Sequence, residues 1–262
     1  YSSAASDVYK RQADDRTNES VARTLEFALS DYCIAQMAKA LGKTTDYEDL
    51  MRRAKNYRYL YNPKTKLFQA RNADGSWAGE HSGFTEGANW TYQFCVMQDV
   101  QGLIDLMGGN ESFAAALDNV FDNGHYRHDN EPGHHYVYLY NYCGRFDKAQ
   151  ERIPEILDTH YRNGADGLSG NDDCGQMSAW YLFSSLGFYP VTPASGEYAL
   201  GIPRFPSVRV ELPHGKVLTV RAEELKEHRH LPVILFNGKK LDAPFIAIRD
   251  LMKGGVLEFK AE

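Results

Sequence analysis

The sequence predicts a mostly α chain of antiparallel helix pairs, part of an (α/α) barrel, closed by a small C-terminal antiparallel β unit. Two observations carry this expectation. Up to Pro190, apolar residues recur at three- and four-residue spacing, in stretches joined alternately by short glycine turns and long polar loops. After Pro190 the text changes to short alternating segments bounded by Gly, Pro or Asn.

Taken in order, Val21, Leu25, Ala28, Tyr32, Ala35 and Ala38 mark one face of a helix that Gly42 ends. Thr45-Asp46-Tyr47-Glu48 fits a capping box opening a second helix, which runs to about Tyr61 and breaks at Asn62-Pro63. The stretch to Gly87 carries turn signals such as Asp74-Gly75 and reads as loop with room for a short hairpin. A helix from about Ala88 to Met107 follows, then a Gly108-Gly109 turn and a shorter helix through Phe121. After a loop to about Gly133, helices over His134–Cys143 and Asp147–Arg162 join at Gly144. A third long loop, Asn163–Cys174, precedes a helix over Gly175–Leu186. Seven helices are an odd, open number, as expected of a barrel whose earlier helices lie outside this sequence. Val208–Leu212, Val217–Val220 and Val256–Phe259 read as strands, and Asn237-Gly238 as a hairpin turn. The expected organisation is therefore a tail over residues 1–12, a helical domain over 13–190 and a β region over 191–262.

Composition narrows the function. A net charge of -6 without a long single-sign block offers no broad positive field for nucleic acid. No apolar run approaches the roughly 20 residues of a membrane span. Aromatic residues reach 13%, with 17 Tyr and 3 Trp, which suits walls that stack on sugar rings and equally suits a core. Cys33, Cys95, Cys143 and Cys174 lack metal or disulfide spacing and read as buried free thiols. Tyr1–Gln12 has neither a signal peptide's apolar core nor helical period and looks foreign to the fold, so it carries no statement about compartment.

Short turns place every long loop at the same end of a helix bundle. Each of those loops ends in a polar cluster: Phe84-Thr85-Glu86-Gly87, then His128-Asp129-Asn130-Glu131-Pro132-Gly133-His134-His135, then Gly170-Asn171-Asp172-Asp173-Cys174-Gly175-Gln176. The alternation is thus expected to gather Glu86, Glu131, Asp172 and Asp173 around one mouth. Paired carboxylates are what glycoside hydrolysis needs, one protonated to assist the leaving oxygen and one ionised to activate water. For any one of these acids alone, the plain alternative is a carboxylate that caps its helix.

The segments FTEGANWTYQF, NEPGHHYVYLYNY and GNDDCGQMSAWYLFSSLGFYPVTPASGEYALG resemble the signature stretches of glycoside hydrolase family 92 exo-α-mannosidases. The resemblance runs from about Ala13 to Phe205. It implies a β-sandwich joined to an (α/α)6 barrel, of which this chain would hold only the later part. It also implies release of terminal α-linked mannose from glycans with inversion, using calcium, in a secreted or periplasmic protein. Glu86 matches the family's general acid and Asp173 its base, with Asp172 as understudy. Asn130 and Glu131 fall in the segment near the calcium, where oxygen ligands suit a hard cation. His128 and Asp129 fall where sugar linkage is selected. Asn171 stands where some relatives carry a second acid that assists the base, which thins that support. Many relatives read Asn-Ala-Trp after the TEG triplet, whereas this chain reads Ala88-Asn89-Trp90. Trp90 suits either a sugar face or the core. A helix N-terminus favours an ionised carboxylate, helping a base and hindering an acid, so calcium is expected nearer Asn130 and Glu131 than Glu86.

Two further readings stand beside this one. A truncated chain would keep a sugar-binding surface without turnover. His125, His128, His134 and His135 would form a transition-metal site, although their spacing fits no zinc motif.

Overall fold

The computed structural model describes residues 12–227 and 229–261. They form two compact units, one ending at Tyr126 and including Pro193–Ser195, the other comprising Arg127–Thr192 and the chain from Gly196 onward. Most of the tail expected over residues 1–12 lies outside the described residues; Gln12 donates its N–H to Thr24 Oγ1 at 3.0 Å.

In the first unit, α1 (Ser20–Ala40) buries Val21, Leu25, Ala28, Ala35 and Ala38, the face that the spacing marks out. A short link folds α2 (Thr44–Arg53) back on it. No residue of α2 is buried, and its ties to α1 include an ion pair: Arg53 Nε donates to Asp31 Oδ2 at 2.9 Å while Nη2 meets Oδ1 at 2.9 Å. The capping box expected at Thr45 is not formed. The helix starts two residues earlier, its cap is Lys43 rather than Thr45, and no side chain bonds the cap. A 3₁₀ turn over Asn56–Leu60 then leads into a hairpin of β1 (Tyr61–Asn62) and β2 (Leu67–Phe68). A second reversal around Asp74-Gly75 is closed by a bridge between Arg71 and Trp77.

The single helix expected over Ala88–Met107 is three pieces: α3 (Asn89–Tyr92), a 3₁₀ turn over Met97–Asp99, and α4 (Val100–Leu106). Phe94, Cys95 and Val96 are buried in succession, which one face of a regular helix cannot do, and Val96 leaves helical geometry at φ -131°, ψ 55°. Asp99 restarts the helix by accepting the Gly102 N–H at 3.2 Å. Beyond it, α5 (Asn110–Asp122) buries Phe113, Leu117 and Val120, and Phe113 meets Phe94 edge to face at 5.2 Å.

The second unit opens with 3₁₀ turns over Glu131–Gly133 and Tyr136–Cys143 in place of the expected α-helix, followed by α6 (Phe146–His160) and α7 (Gln176–Leu186). Tyr136 through Asn141 are all buried, so this stretch has no solvent face to impose a helical period. Eight strands come next: β3 (Phe188–Tyr189), β4 (Glu197–Leu200), β5 (Ser207–Glu211), β6 (Val217–Arg221), β7 (Val233–Phe236), β8 (Lys239–Lys240), β9 (Phe245–Ala247) and β10 (Gly255–Lys260). They make a five-stranded sheet in the order β5-β6-β10-β7-β8 and a three-stranded sheet β3-β4-β9. All pairings are antiparallel except β6 with β10, which run parallel. The Asn237-Gly238 hairpin turn forms between β7 and β8, both residues at positive φ, 51° and 78°.

Buried amides fasten these strands to the helical part of the same unit. Gln150 donates to the carbonyls of Gly201 (3.2 Å) and Leu231 (3.0 Å) and accepts the Leu231 N–H at 2.9 Å. Asn141 donates to the carbonyls of Leu200 and Pro244. None of the four cysteines is in a disulfide; Cys95 and Cys143 are buried as expected, Cys33 is partly so, and Cys174 is exposed. No described helix is long and apolar enough to cross a membrane.

Candidate active site

Glu86 lies in the first unit on a loop that is tied to the start of α1. The Gly83 carbonyl accepts the N–H groups of both Val21 (2.9 Å) and Ala22 (3.0 Å), satisfying two donors that a helix start leaves open. A side chain at Gly83 would meet Ser20 Oγ at 2.7 Å and strain a backbone at φ 87°. Tyr92 reaches back from α3 to donate to the Thr85 carbonyl at 2.8 Å, and its ring packs against Phe84 at 5.6 Å. Burial pushes the Tyr92 phenol up to about 12, so it keeps its proton and remains a donor. Between these anchors Glu86 is exposed and sits at φ 50°. The helix that follows, α3, begins at Asn89 and is only four residues long.

Asn89 is buried and its Oδ1 accepts the Trp90 N–H at 2.9 Å. Trp90 stacks one face on His125, with centroids 4.4 Å apart and planes 3° from parallel.

The second unit brings the other two polar loops together. Gly170 has no room for a side chain, since a Cβ there would lie 2.3 Å from the Asp129 carbonyl oxygen and 2.7 Å from its Cα. Trp180, fully buried in α7, donates Nε1–H to the His134 carbonyl at 2.8 Å. Tyr161 donates to the Met177 carbonyl at 3.0 Å, which leaves its oxygen to accept from His128 Nε2 at 2.7 Å. His134 Nε2 donates to the His128 carbonyl at 3.1 Å, so its Nδ1 faces Gln176 Nε2 at 3.4 Å as an acceptor. Gln176 Nε2 also donates to Tyr189 at 2.9 Å.

His128, a candidate for substrate recognition, is fully buried in this packing. Burial first, and then the neighbouring His134 and His160, push its imidazole down to about 2. Burial likewise lowers His134 and His160. All three rings are therefore neutral at pH 7, and the native state resists the protons that the unfolded chain accepts near the ordinary 6.5. Stability is full above 6.5 and falls as pH drops through that value towards 2. Denaturant unfolding at pH 7.5 and pH 5 is expected to give a lower midpoint at pH 5; an unchanged or higher midpoint would contradict the burial of these rings.

Asp129 is half-exposed and gripped by Arg127, Nε to Oδ1 at 2.7 Å and Nη2 to Oδ2 at 2.5 Å, which holds its carboxyl below the usual range. The Arg-x-Asp spacing was the sequence signal for that fork. Asn171 and Asp173 are exposed. Asp172 has both carboxylate oxygens on Ser178, Oδ1 accepting its N–H and Oδ2 its hydroxyl, each at 2.8 Å. These bonds, the backbone one first, hold Asp172 below the ordinary carboxylate range. Asp173, Cys174 and Gly175 follow at φ 23°, 58° and 82°, a left-handed turn with two non-glycine members. Of eight non-glycine residues at positive φ among the described ones, three are Glu86, Asp173 and Cys174. Such strain concentrates where side-chain direction matters to function.

Asn130 caps the turn over Glu131–Gly133 by accepting the Glu131 N–H at 3.0 Å. Glu131 Oε1 is buried with no hydrogen-bond partner among the described residues, an anionic oxygen that a hard cation would satisfy. Among the described residues no group of three or more His, Cys, Asp and Glu could hold a metal ion, so a cation at Glu131 would draw on amide, carbonyl and water oxygens. The histidine metal site loses its footing for a different reason. His125 is stacked on Trp90, while His128 and His134 spend ring nitrogens on Tyr161, the His128 carbonyl and Gln176.

The class follows from comparison with known proteins: a glycoside hydrolase catalytic domain. Residues 2–262 match the model of the glycosyl hydrolase family 92 catalytic domain, and the chain belongs to that family. It is similar to a solved family GH92 α-mannosidase of Bacteroides thetaiotaomicron (40% identity, TM-score 0.90), covering 96% of this chain and 35% of that one. It is also similar to a family GH92 inverting mannosidase of the same bacterium (34% identity, TM-score 0.87), covering 94% of this chain and 37% of that one. A curated relative in the fungus Arthroderma benhamiae, described as an uncharacterized secreted glycosidase, is 28% identical over 92% of this chain and 35% of its own length. The chain thus spans little more than a third of these relatives.

Proposed function

We propose that the chain contributes the acid and the base of an exported exo-α-mannosidase that removes terminal mannose from glycans by a calcium-dependent inverting reaction, on an (α/α)6 barrel. The observation that carries this reading is strained backbone at both Glu86 and Asp173, the two carboxylates that the motif resemblance implies as acid and base. Glu86 acts as general acid, giving its proton to the glycosidic oxygen as the bond to the anomeric carbon breaks. Asp173 acts as base, taking a proton from the water that attacks the opposite face of the ring, so the anomeric configuration inverts. Asp172 supports Asp173 and does not replace it, since Ser178 already occupies both of its oxygens. Calcium, when bound, supplies a fixed positive charge that orients sugar hydroxyls, and Glu131 with Asn130 would hold it. His128, Asp129, Asn171 and Trp90 are the proposed sugar-recognition group, His128 acting through the packing of its loop. The relative described as secreted supports an exported, periplasmic or extracellular protein, with a mannose-bearing glycan as partner. A solved relative's complex with mannoimidazole supports mannose as the sugar.

Proton NMR of an α-mannoside digest is the test. β-Mannose as the first-formed product, activity lost to a chelator and activity restored by calcium are the expected results. α-Mannose as the first product would refute inversion, and full activity after exhaustive chelation would refute the calcium reading. A second reading is a sugar-binding chain without turnover. Calorimetry with mannose, set beside hydrolysis by the same preparation, separates the two, and measurable turnover excludes the second.

A further inference from the structure

We propose that Ser178 is a positioning residue for Asp173, acting through Asp172; this rests on Asp173 being the base. Asp172 is fixed to α7 through both its carbonyl and its carboxylate, the Met177 N–H also bonding the carboxylate. Its carbonyl accepts the Gln176 N–H at 2.7 Å, its Oδ1 accepts the Ser178 N–H at 2.8 Å and its Oδ2 accepts the Ser178 hydroxyl at 2.8 Å. The carbonyl bond and the first carboxylate bond satisfy two N–H groups that the start of α7 would otherwise leave open.

Between this anchor and the helix, the chain must accommodate Asp173, Cys174 and Gly175. It does so by bulging out with all three at positive φ. Two of them carry side chains that disfavour this geometry, so the turn persists only while both of its ends are held. Downstream, Gln176 holds the helix start through its side chain on Tyr189 and His134. Upstream, Gly170 lies flush against the Asp129 backbone, and the remaining hold is the carboxylate of Asp172. Ser178 grips that carboxylate with a bidentate pair of donors, fixing the residue that immediately precedes the base. A base that activates water must keep its oxygen aimed within a fraction of an ångström, and loss of aim lowers the rate of the chemical step while leaving sugar binding nearly intact.

Ser178 is itself exposed on α7, and alanine is a good helix former, so S178A removes one hydroxyl without opening a cavity. In the intact protein, S178A is expected to lower kcat on a 4-nitrophenyl α-mannoside by roughly 10- to 100-fold with KM within about twofold, the range that misplaced catalytic groups show. S178T, which keeps the hydroxyl, is expected to retain at least about half of the parent kcat. Thermal unfolding of both variants near the parent temperature would accompany the expected result. The inference is overturned if S178A keeps kcat within twofold of the parent, if S178T is as impaired as S178A, or if KM rises in step with the fall in kcat. D173N separates the two layers. If D173N is inactive while S178A is unimpaired, the positioning role alone fails; if D173N keeps its activity, the base assignment beneath it fails.

Discussion

E86Q and D173N are each expected to lower kcat/KM on an α-mannoside by ~10²–10⁴-fold, the contribution of a positioned acid or base. The two losses should differ in kind. An activated leaving group such as 2,4-dinitrophenolate departs without help, so E86Q should recover much of its rate on that substrate. D173N should not, because its defect lies in activating water. Both side chains are exposed, and the replacements keep their shape, so unfolding is not expected to contribute. Equal and undiminished rates for either variant on an unactivated mannoside would remove that residue from the mechanism. The phenotypes reversed, with D173N rescued by the activated substrate, would exchange the two roles.

The largest effect on stability is expected from W180A, roughly 3–5 kcal/mol, in the range of fully buried aromatic truncations. Trp180 is completely buried and lies parallel to Tyr161 with centroids 5.8 Å apart, while His128 meets it edge to face at 4.4 Å. Truncation would empty that space and also leave the His134 carbonyl without its indole donor. W180F should cost less, since a phenyl ring fills most of the space, although some volume and the bond to His134 are lost. Denaturant titration of the three proteins checks the order. A W180A midpoint equal to that of W180F would mean that the cavity closes by local collapse.

The sequence made α6 legible because it has one buried stripe and one wet face, which is what apolar spacing reports; α1 was legible from its buried Val21, Leu25, Ala28, Ala35 and Ala38, although Phe27, Ile34 and Met37 are exposed on it. It misled where both faces are buried. Phe94-Cys95-Val96 and the run from Tyr136 to Asn141 are buried all round, so the same spacing covers an interrupted helix in one case and 3₁₀ turns in the other. The Asn237-Gly238 turn was readable because positive φ demands those residues. The parallel pairing of β6 with β10 was not, since no local residue choice encodes a partner more than 30 positions away. At the site, motif resemblance singled out Glu86, Asp172 and Asp173. The hold of Ser178 on Asp172 spans six residues and matches no local capping pattern, and Tyr161 and Gln176 act through contacts made only after folding.

The place of β10 bears on the order in which this protein can be built. The strand made latest of the five lies at the centre of its sheet, with β5 and β6 on one side and β7 and β8 on the other. On the ribosome, two separate hairpins must therefore wait with their inner edges bare until residues 255–260 emerge. Open edges of that kind invite pairing with other nascent chains. The yield of folded protein should accordingly depend on chaperone capacity during that interval, even in cells where the finished molecule is stable.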